Sequence, residues 1–597
     1  MADFDLIIRG GMIIDGQRTP RYRGDIGISD GRVKTITGIG GLSKKTAKRE
    51  IDADGLIVAP GFVDLHTHYD AQVFWDPYCT TSGWHGVTSA VIGNCGFGLA
   101  PVKEEDRDRA MLSLTRNEAI SYDAMKAGLA WDWETFPQFM DAIEKTPKGI
   151  NLLTYIPLSP LIAYVMGGWE AAKERRPNEN EMVQIKQLIS EAMDAGACGI
   201  SSQYLGETSV QRDYDGTPNV TDIMNFDDFV EMVTVLKEKG RGVIQVLGCT
   251  PEQTEKLCEA SGAMVIYNVL ALECDQHGME TEGSWEEFTD WMEGANQRGL
   301  QVSAQTVTTG IDFVFTLEDW NLYDSSEHWR HVLLGTTAEK LEKMKDPANR
   351  EAIRNEYDLM AKSTREEFEA RGDNDIAATA LVQFRTVAEN SVQMVENDEL
   401  LEYEGLTIRQ IAEKENKHVC DAFLDIAIAD GLRTTFATPP NQYHPDDISK
   451  LINKPYTIPG ISDGGAHMKF SVFGRYGTEY LVNYVREGKM VDLEYAHWHL
   501  SAIPAQYAGL HDRGVIRVDS PADIIIYDMD ELGWTETEKV YDLPAGDWRR
   551  VSKGVGFRYT LVNGHVTFEG IQDTGATPGV LLRNGHAPLQ ERPMAAE

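Results

Sequence analysis

The chain has 597 residues, with 94 acidic against 56 basic side chains, a formal net charge of -38 and a pI near 4.7. Its length exceeds what one hydrophobic core serves, so at least two structural units are expected, and its charge, which also favours solubility, excludes nucleic acid and anionic membrane surfaces as expected partners. No apolar run reaches the roughly 18 residues of a membrane span and the N-terminus lacks a basic-then-apolar leader pattern, so a cytoplasmic protein is expected; seven scattered cysteines form no disulfide framework.

In chain order, residues 5–16 read as two strands about the Gly10-Gly11 pair, and 25–33 and 53–58 give further strand signals. The run 53–60 is a turn, a short apolar stretch and a proline that stops it, so a new element begins at Gly61. That element, 61–69, is an apolar strand ending in His66 and His68. Residues two apart on a strand point the same way, so both imidazoles can meet one ion at the strand's carboxyl end. Further strands are expected near 87–94, 151–157, 198–204, 242–247, 264–270, 301–306 and 457–462, with helices at 179–195, 226–239 and 284–298 between several of them. Eight strands alternating with helices suggest an α/β chain built as a TIM-like (β/α)8 barrel. The stretch of about 311–455 is too long for a loop and rich in helix formers, and is read as an inserted helical subdomain able to cover the site. Strand signals return at 522–528 and 559–566.

Active sites of such barrels gather at the carboxyl ends of the strands. The second strand ends Gly93-Asn94-Cys95-Gly96-Phe97-Gly98 and the eighth ends Ser462-Asp463-Gly464-Gly465-Ala466-His467. Taken by themselves these are glycine turns, one around a buried thiol. Together with the Pro60-Gly61 entry into His-x-His and with Tyr204 at the fourth strand, they resemble the amidohydrolase superfamily in its N-acyl-D-amino-acid deacylase (D-aminoacylase-like) branch, and the similarity runs through most of the chain. The resemblance implies that the terminal strands, 1–58 and 509–597, pack as one small β-sandwich beside a barrel of 59–508. It also implies that Cys95 is a zinc ligand and that Asp463 binds metal and relays the proton of the attacking water.

The family pattern is broken at strands five and six, where histidines are usual and Gln245 and Asn268 stand instead. Amide oxygens are poorer zinc ligands than imidazole, so one ion per chain, zinc or another divalent transition metal, is expected with His66, His68 and Asp463, with Cys95 either contributing a bond or standing just behind the ligands. Gln245, Asn268, His277 and His467 flank this position, and with Tyr204 and Arg475 are assigned to the substrate side; the resemblance gives Arg475 the task of holding a substrate carboxylate. The expected activity is metal-dependent hydrolysis of an amide C–N bond in a small molecule, with Asp463 as general base. A lyase or decarboxylase on the same barrel and a catalytically silent scaffold remain alternatives, and a homo-oligomer is compatible with the sequence.

Overall fold

The computed structural model describes residues 2–583 apart from 208, 210, 273–284, 311–312, 319–322, 325, 363–386 and 441. Its centre is eight parallel strands, Phe62–Asp64, Val87–Ile92, Asn151–Pro157, Gly199–Gln203, Val243–Leu247, Met264–Leu270, Val302–Val307 and Thr457–Gly460, each hydrogen-bonded to the next. A parallel bridge between Thr67 and Gly464, with the His68 amide donating to the Gly464 carbonyl at 2.7 Å, brings the first strand's end to the eighth and nearly closes the barrel. The strands fall where the apolar runs place them, and the second, third and seventh are buried throughout, as a parallel sheet covered on both faces requires. Helices Glu179–Ala195 and Phe226–Lys239 occupy the expected ranges. The first begins with a capping box between Asn178 and Glu181, which satisfies amides that its first turn leaves unpaired.

Inside the barrel, Val63, Val91, Leu153, Tyr155, Val243, Ile266 and Ile458 form one apolar cluster. Side chains two residues on share that inward direction, so Leu65, Gln245 and Asn268 also point in, and the polar members stand nearer the carboxyl ends of their strands.

Both termini build one flanking unit. Ile57–Pro60 pairs antiparallel with Ile524–Tyr527, joining the N-terminal strands to Phe557–Val562 and His565–Glu569 in a continuous nine-stranded sheet. Leu6, Ile8, Ile26, Val58, Ile524 and Leu561 share its core. The Gly10-Gly11 pair does not make the expected turn: Phe4–Ile13 is one strand whose register shifts between Ile8 and Gly11. Gly10 takes φ 69, the left-handed conformation of a bulge, and a Cβ on Gly11 would lie 2.4 Å from a Val58 methyl.

Arg513 and Asp523, 3% and 4% exposed, form an ion pair under this sheet, and Asp523 also accepts from the Asn151 amide of the third barrel strand at 3.2 Å. Truncating Arg513 leaves a buried carboxylate uncompensated. Arg513→Ala is expected to cost about 3–5 kcal/mol of stability, read as a lower urea midpoint.

The insertion between strands seven and eight carries the helices Glu327–Leu333, Thr337–Lys345, Pro347–Lys362, Ile408–Glu415, Val419–Ala429 and Pro445–Asn453. It is not purely helical: Val314–Phe315, Thr435–Ala437 and Ser391–Met394 form a small antiparallel sheet. A core of its own, including Phe315, Trp329, Phe423 and Phe436, also takes in Ala119 and Phe470 from the barrel's loops. A buried ion pair of Arg116 with Asp324 at 2.5 Å ties the insertion to the helix after the second strand.

Candidate metal centre

His66 and His68 follow the first strand, and their donor atoms and the Cys95 sulfur all lie within 4.8 Å of one another, each side chain buried. The Cys95 sulfur is 3.4 Å from His66 Nε2. Asp463 Oδ1 is 3.2 Å from His66 Nε2 and 3.7 Å from His68 Nε2. Four residues from the ends of strands one, two and eight thus converge on one point. Neither ring nitrogen of His68 has a hydrogen-bond partner. Two imidazoles, a thiol and a carboxylate are the donor types zinc takes, and buried imidazole nitrogens without partners fit a cation between them.

The local backbone serves this convergence. Cys95 sits at φ 58 between Gly93 and Gly96, and Asp463 and His467 also have positive φ, 43 and 50. A side-chain-bearing residue in that region is costly and concentrates at functional sites. A Cβ on Gly93 would lie 2.8 Å from the Tyr155 carbonyl oxygen, so the turn that aims Cys95 requires glycine there. The Asn94 side-chain amide donates to the carbonyls of Thr67 and Val91 at 3.0 and 2.9 Å, fixing this turn to the His-x-His segment. Ser462 Oγ donates to the His66 carbonyl at 3.1 Å and fixes the other side.

Gln245 and Asn268 also reach the centre, against the ligands themselves. Gln245 Oε1 accepts from the Cys95 amide at 2.7 Å, and the Asn268 side-chain amide meets His66 Nδ1 at 2.5 Å. His467 joins from beyond the eighth strand, its Nε2 3.4 Å from Glu118 Oε2, which is also 3.5 Å from His68 Nε2.

Tyr204 and Arg475 make contacts with residues other than the four donors. The half-buried Tyr204 ring packs against Phe226 at 5.5 Å and near Phe229 at 6.4 Å. Arg475 is paired with Glu479 at 2.5 Å and its guanidinium carbon lies 5.3 Å over the Trp534 ring, so its charge is matched by Glu479 and its head group faces the C-terminal segment. The carboxylate-holding task expected of it finds no support in that placement. His277 lies outside the described residues. His85 bonds Thr478 and the Ser552 carbonyl, a satisfied core histidine.

Burial dominates the electrostatics. It pushes the Cys95 thiol well up, with the charges of Glu118, Asp463 and Asp222 adding to it; a bound cation reverses that by favouring thiolate. Burial, followed by the charge of His66, pushes His68 down to about 3, keeping it neutral as a ligand must be. For Asp463 burial acts upward, but the hydrogen bond from His66 and the charges of the three imidazoles outweigh it, holding the carboxyl well below the usual range.

Glu118 is the residue that the sequence reading missed. It ends the helix Arg107–Glu118 and is 1% exposed. Burial pushes its carboxyl well up, and Asp463 and Asp70 add to the shift. A signal was present: Met111, Leu114 and Glu118 lie at i, i+3 and i+7, so the carboxylate continues the helix's apolar stripe.

A parallel eight-stranded barrel with imidazole, thiol and carboxylate donors at the carboxyl ends of its strands is the architecture of metal-dependent hydrolases. The chain belongs to the amidohydrolase family, whose model matches residues 49–204 and 362–568, more than half its length. It is 26% identical over 551 residues to an uncharacterized protein of Mycobacterium tuberculosis, covering 89% of this chain and 85% of that one. It is 25% identical over 591 residues to the N-acyl-D-glutamate deacylase of Alcaligenes xylosoxydans xylosoxydans, covering 97% and 96%. The fold is shared, with a TM-score of 0.64, 20% identity and coverage of 97% and 99%, with the N-acyl-D-glutamate deacylase of Bordetella bronchiseptica, solved with zinc and a phosphonate inhibitor. The protein is therefore an enzyme of the hydrolase class. Among the described residues no helix is long and apolar enough to cross a membrane.

Proposed function

We propose that the protein is a metal-dependent deacylase that hydrolyses the amide bond of an N-acylated amino acid, with one tightly held ion at His66, His68, Cys95 and Asp463. The observation that carries this reading is the convergence of those four side chains, with Asp463 Oδ1 3.2 Å from His66 Nε2. The D-configuration of the substrate is taken from the named relatives, and zinc from the ion in the related structure. The ion, when bound, supplies a Lewis acid that polarises the scissile carbonyl and makes water a nucleophile near neutral pH.

The chain's own residues do the rest. The depressed Asp463 carboxyl is ionised and accepts one proton from the attacking water, then delivers it to the leaving nitrogen; the second water proton stays with the acyl product, so that carboxylic acid and amine, or carboxylate and ammonium once they exchange that proton, leave with no net proton change at the enzyme. To ligate through Nε2, His66 carries its proton on Nδ1. The Asn268 amide lies against Nδ1 through its Nδ2 end, and turned over about its terminal torsion it presents Oδ1, which has no other partner, to accept from that N–H. Gln245 holds the Cys95 turn by its backbone amide. The insertion is joined to the helix that carries Glu118 through Arg116 and Asp324, and its core takes in Ala119 directly after that helix.

Two measurements test this. Purified protein supplied with zinc should release free amino acid from N-acyl-D-amino acids faster than from their L-forms, with solvent oxygen-18 appearing in the released carboxylate. Release of carbon dioxide or an aldehyde without oxygen incorporation would assign a lyase instead. Asn268→Ala should weaken metal binding by about 10–100-fold, as loss of a group that orients a histidine ligand does elsewhere. Competition with a chromogenic chelator reads that shift, and unchanged affinity would remove Asn268 from the supporting role.

A further inference from the structure

The deeply buried arginines Arg513 and Arg549 are each paired with an acid, Asp523 and Asp542. Arg212, only 6% exposed, is not. Its Nε donates to the Ser209 carbonyl at 2.8 Å, and among the described residues it makes no other hydrogen bond and no ion pair. The Nη1 and Nη2 edge of the guanidinium is left over, two parallel N–H donors in a desolvated place. Asp213, the next residue, is already taken by Arg109 at 2.5 Å and Lys173 at 2.6 Å. Burial pushes Arg212 down and the charge of Arg330 adds to it, while Asp222, Asp324 and Glu207, none within ion-pair distance, offset this only in part. A buried cation without an anion is costly.

Arg212 lies at the carboxyl end of the barrel, in the loop after strand four. Ser209 Oγ accepts from Gln203 Nε2 at 3.3 Å, and Gln203 is the last residue of that strand. Asp222 closes the loop, accepting from the Gln203 side chain and the Leu205 amide at 2.8 Å each, and its charge acts both on Cys95 at the metal centre and on Arg212. Asn219 bonds Asn117, the neighbour of Glu118, at 3.1 Å. The insertion meets the same loop: a Cβ on Gly216 would lie 3.2 Å from Arg330 Cδ. Among the described residues Arg330 makes one hydrogen bond, to the Asp324 carbonyl at 2.7 Å.

We propose that Arg212, with Arg330 beside it, holds the carboxylate of the acylated amino acid. The anionic end of the substrate then lies between the strand-four loop and the insertion, and not against Arg475. The inference rests on the deacylase reading above. The free donor edge of Arg212 matches the two oxygens of a carboxylate, and an anion placed there relieves the repulsion between the two guanidinium groups.

The probes are N-acetyl-D-leucine and its primary carboxamide, which differ only in that group. In zinc-loaded wild type the acid should have a KM at least about thirtyfold below that of the carboxamide, the lower range for breaking a buried charged pair. Arg212→Met should raise the acid's KM to that of the carboxamide, with the carboxamide's KM and the zinc content unchanged and kcat little altered. Arg330→Met should raise the acid's KM by less, and Arg475→Met should leave it as it is. Calorimetric titration of zinc-free protein with the same two compounds separates this site from the deacylase reading. Preference for the acid that Arg212→Met abolishes upholds the site even if neither compound is hydrolysed. Hydrolysis without preference for the acid, a preference that Arg212→Met keeps, or one that Arg475→Met removes instead would overturn the site and leave the deacylase reading standing. Neither hydrolysis nor preference would defeat both. If Arg212→Met fails to fold by circular dichroism, Arg212→Lys, which keeps the charge without the fork, should still raise the acid's KM at least about tenfold and spare the carboxamide's.

Discussion

His66→Ala is expected to remove the tightly held ion and to lower turnover at least about a thousandfold, since the Lewis-acid contribution amounts to several kcal/mol of the barrier. The reason lies in the position of His66 at the middle of the donor set. Its Nε2 is within 3.4 Å of both the Cys95 sulfur and Asp463 Oδ1, and its Nδ1 is against Asn268. Without His66 the remaining donors do not enclose an ion. Metal content after dialysis, measured beside wild type, should fall from about one equivalent to none while the circular dichroism spectrum is kept. Full metal retention would place the ion elsewhere and sink the proposed centre.

How far the sequence revealed this centre depended on the range of the contacts involved. The eight strands were legible because each is an apolar run that glycine or proline bounds, and the Glu179–Ala195 and Phe226–Lys239 helices because their apolar residues keep helical spacing. His66 and His68 were legible for the same local reason. What Gln245 and Asn268 do was not, because a strand pattern gives the face of a side chain and not its partner across the barrel. Glu118 meets His68 and His467, both far from it in sequence, so its place on the apolar stripe of its helix marks it as buried without saying what it faces. The three short strands of the insertion, two to four residues each, fall below the length at which alternation can be recognised. Gly10 and Gly11 suggested a turn because the pairing of Phe4–Ile13 with a strand beyond residue 20 is not visible in the pair itself.

Asp463→Asn separates binding from chemistry. Asparagine keeps the shape and an oxygen that can face His66, but it cannot take a proton from water. The ion should therefore be retained with some loss of affinity, whereas kcat should fall by about 10²–10⁴-fold, the range for removing a general base. KM for an N-acyl-amino acid should change little, because the proton is needed in the transition state and not for holding the ground state. The fall must persist at saturating zinc. If added metal restores kcat, Asp463 acts only as a ligand, and the proton must be carried by another group at the site, for which the Glu118 carboxylate, 3.5 Å from His68 Nε2, is the next nearest base on the side of His467.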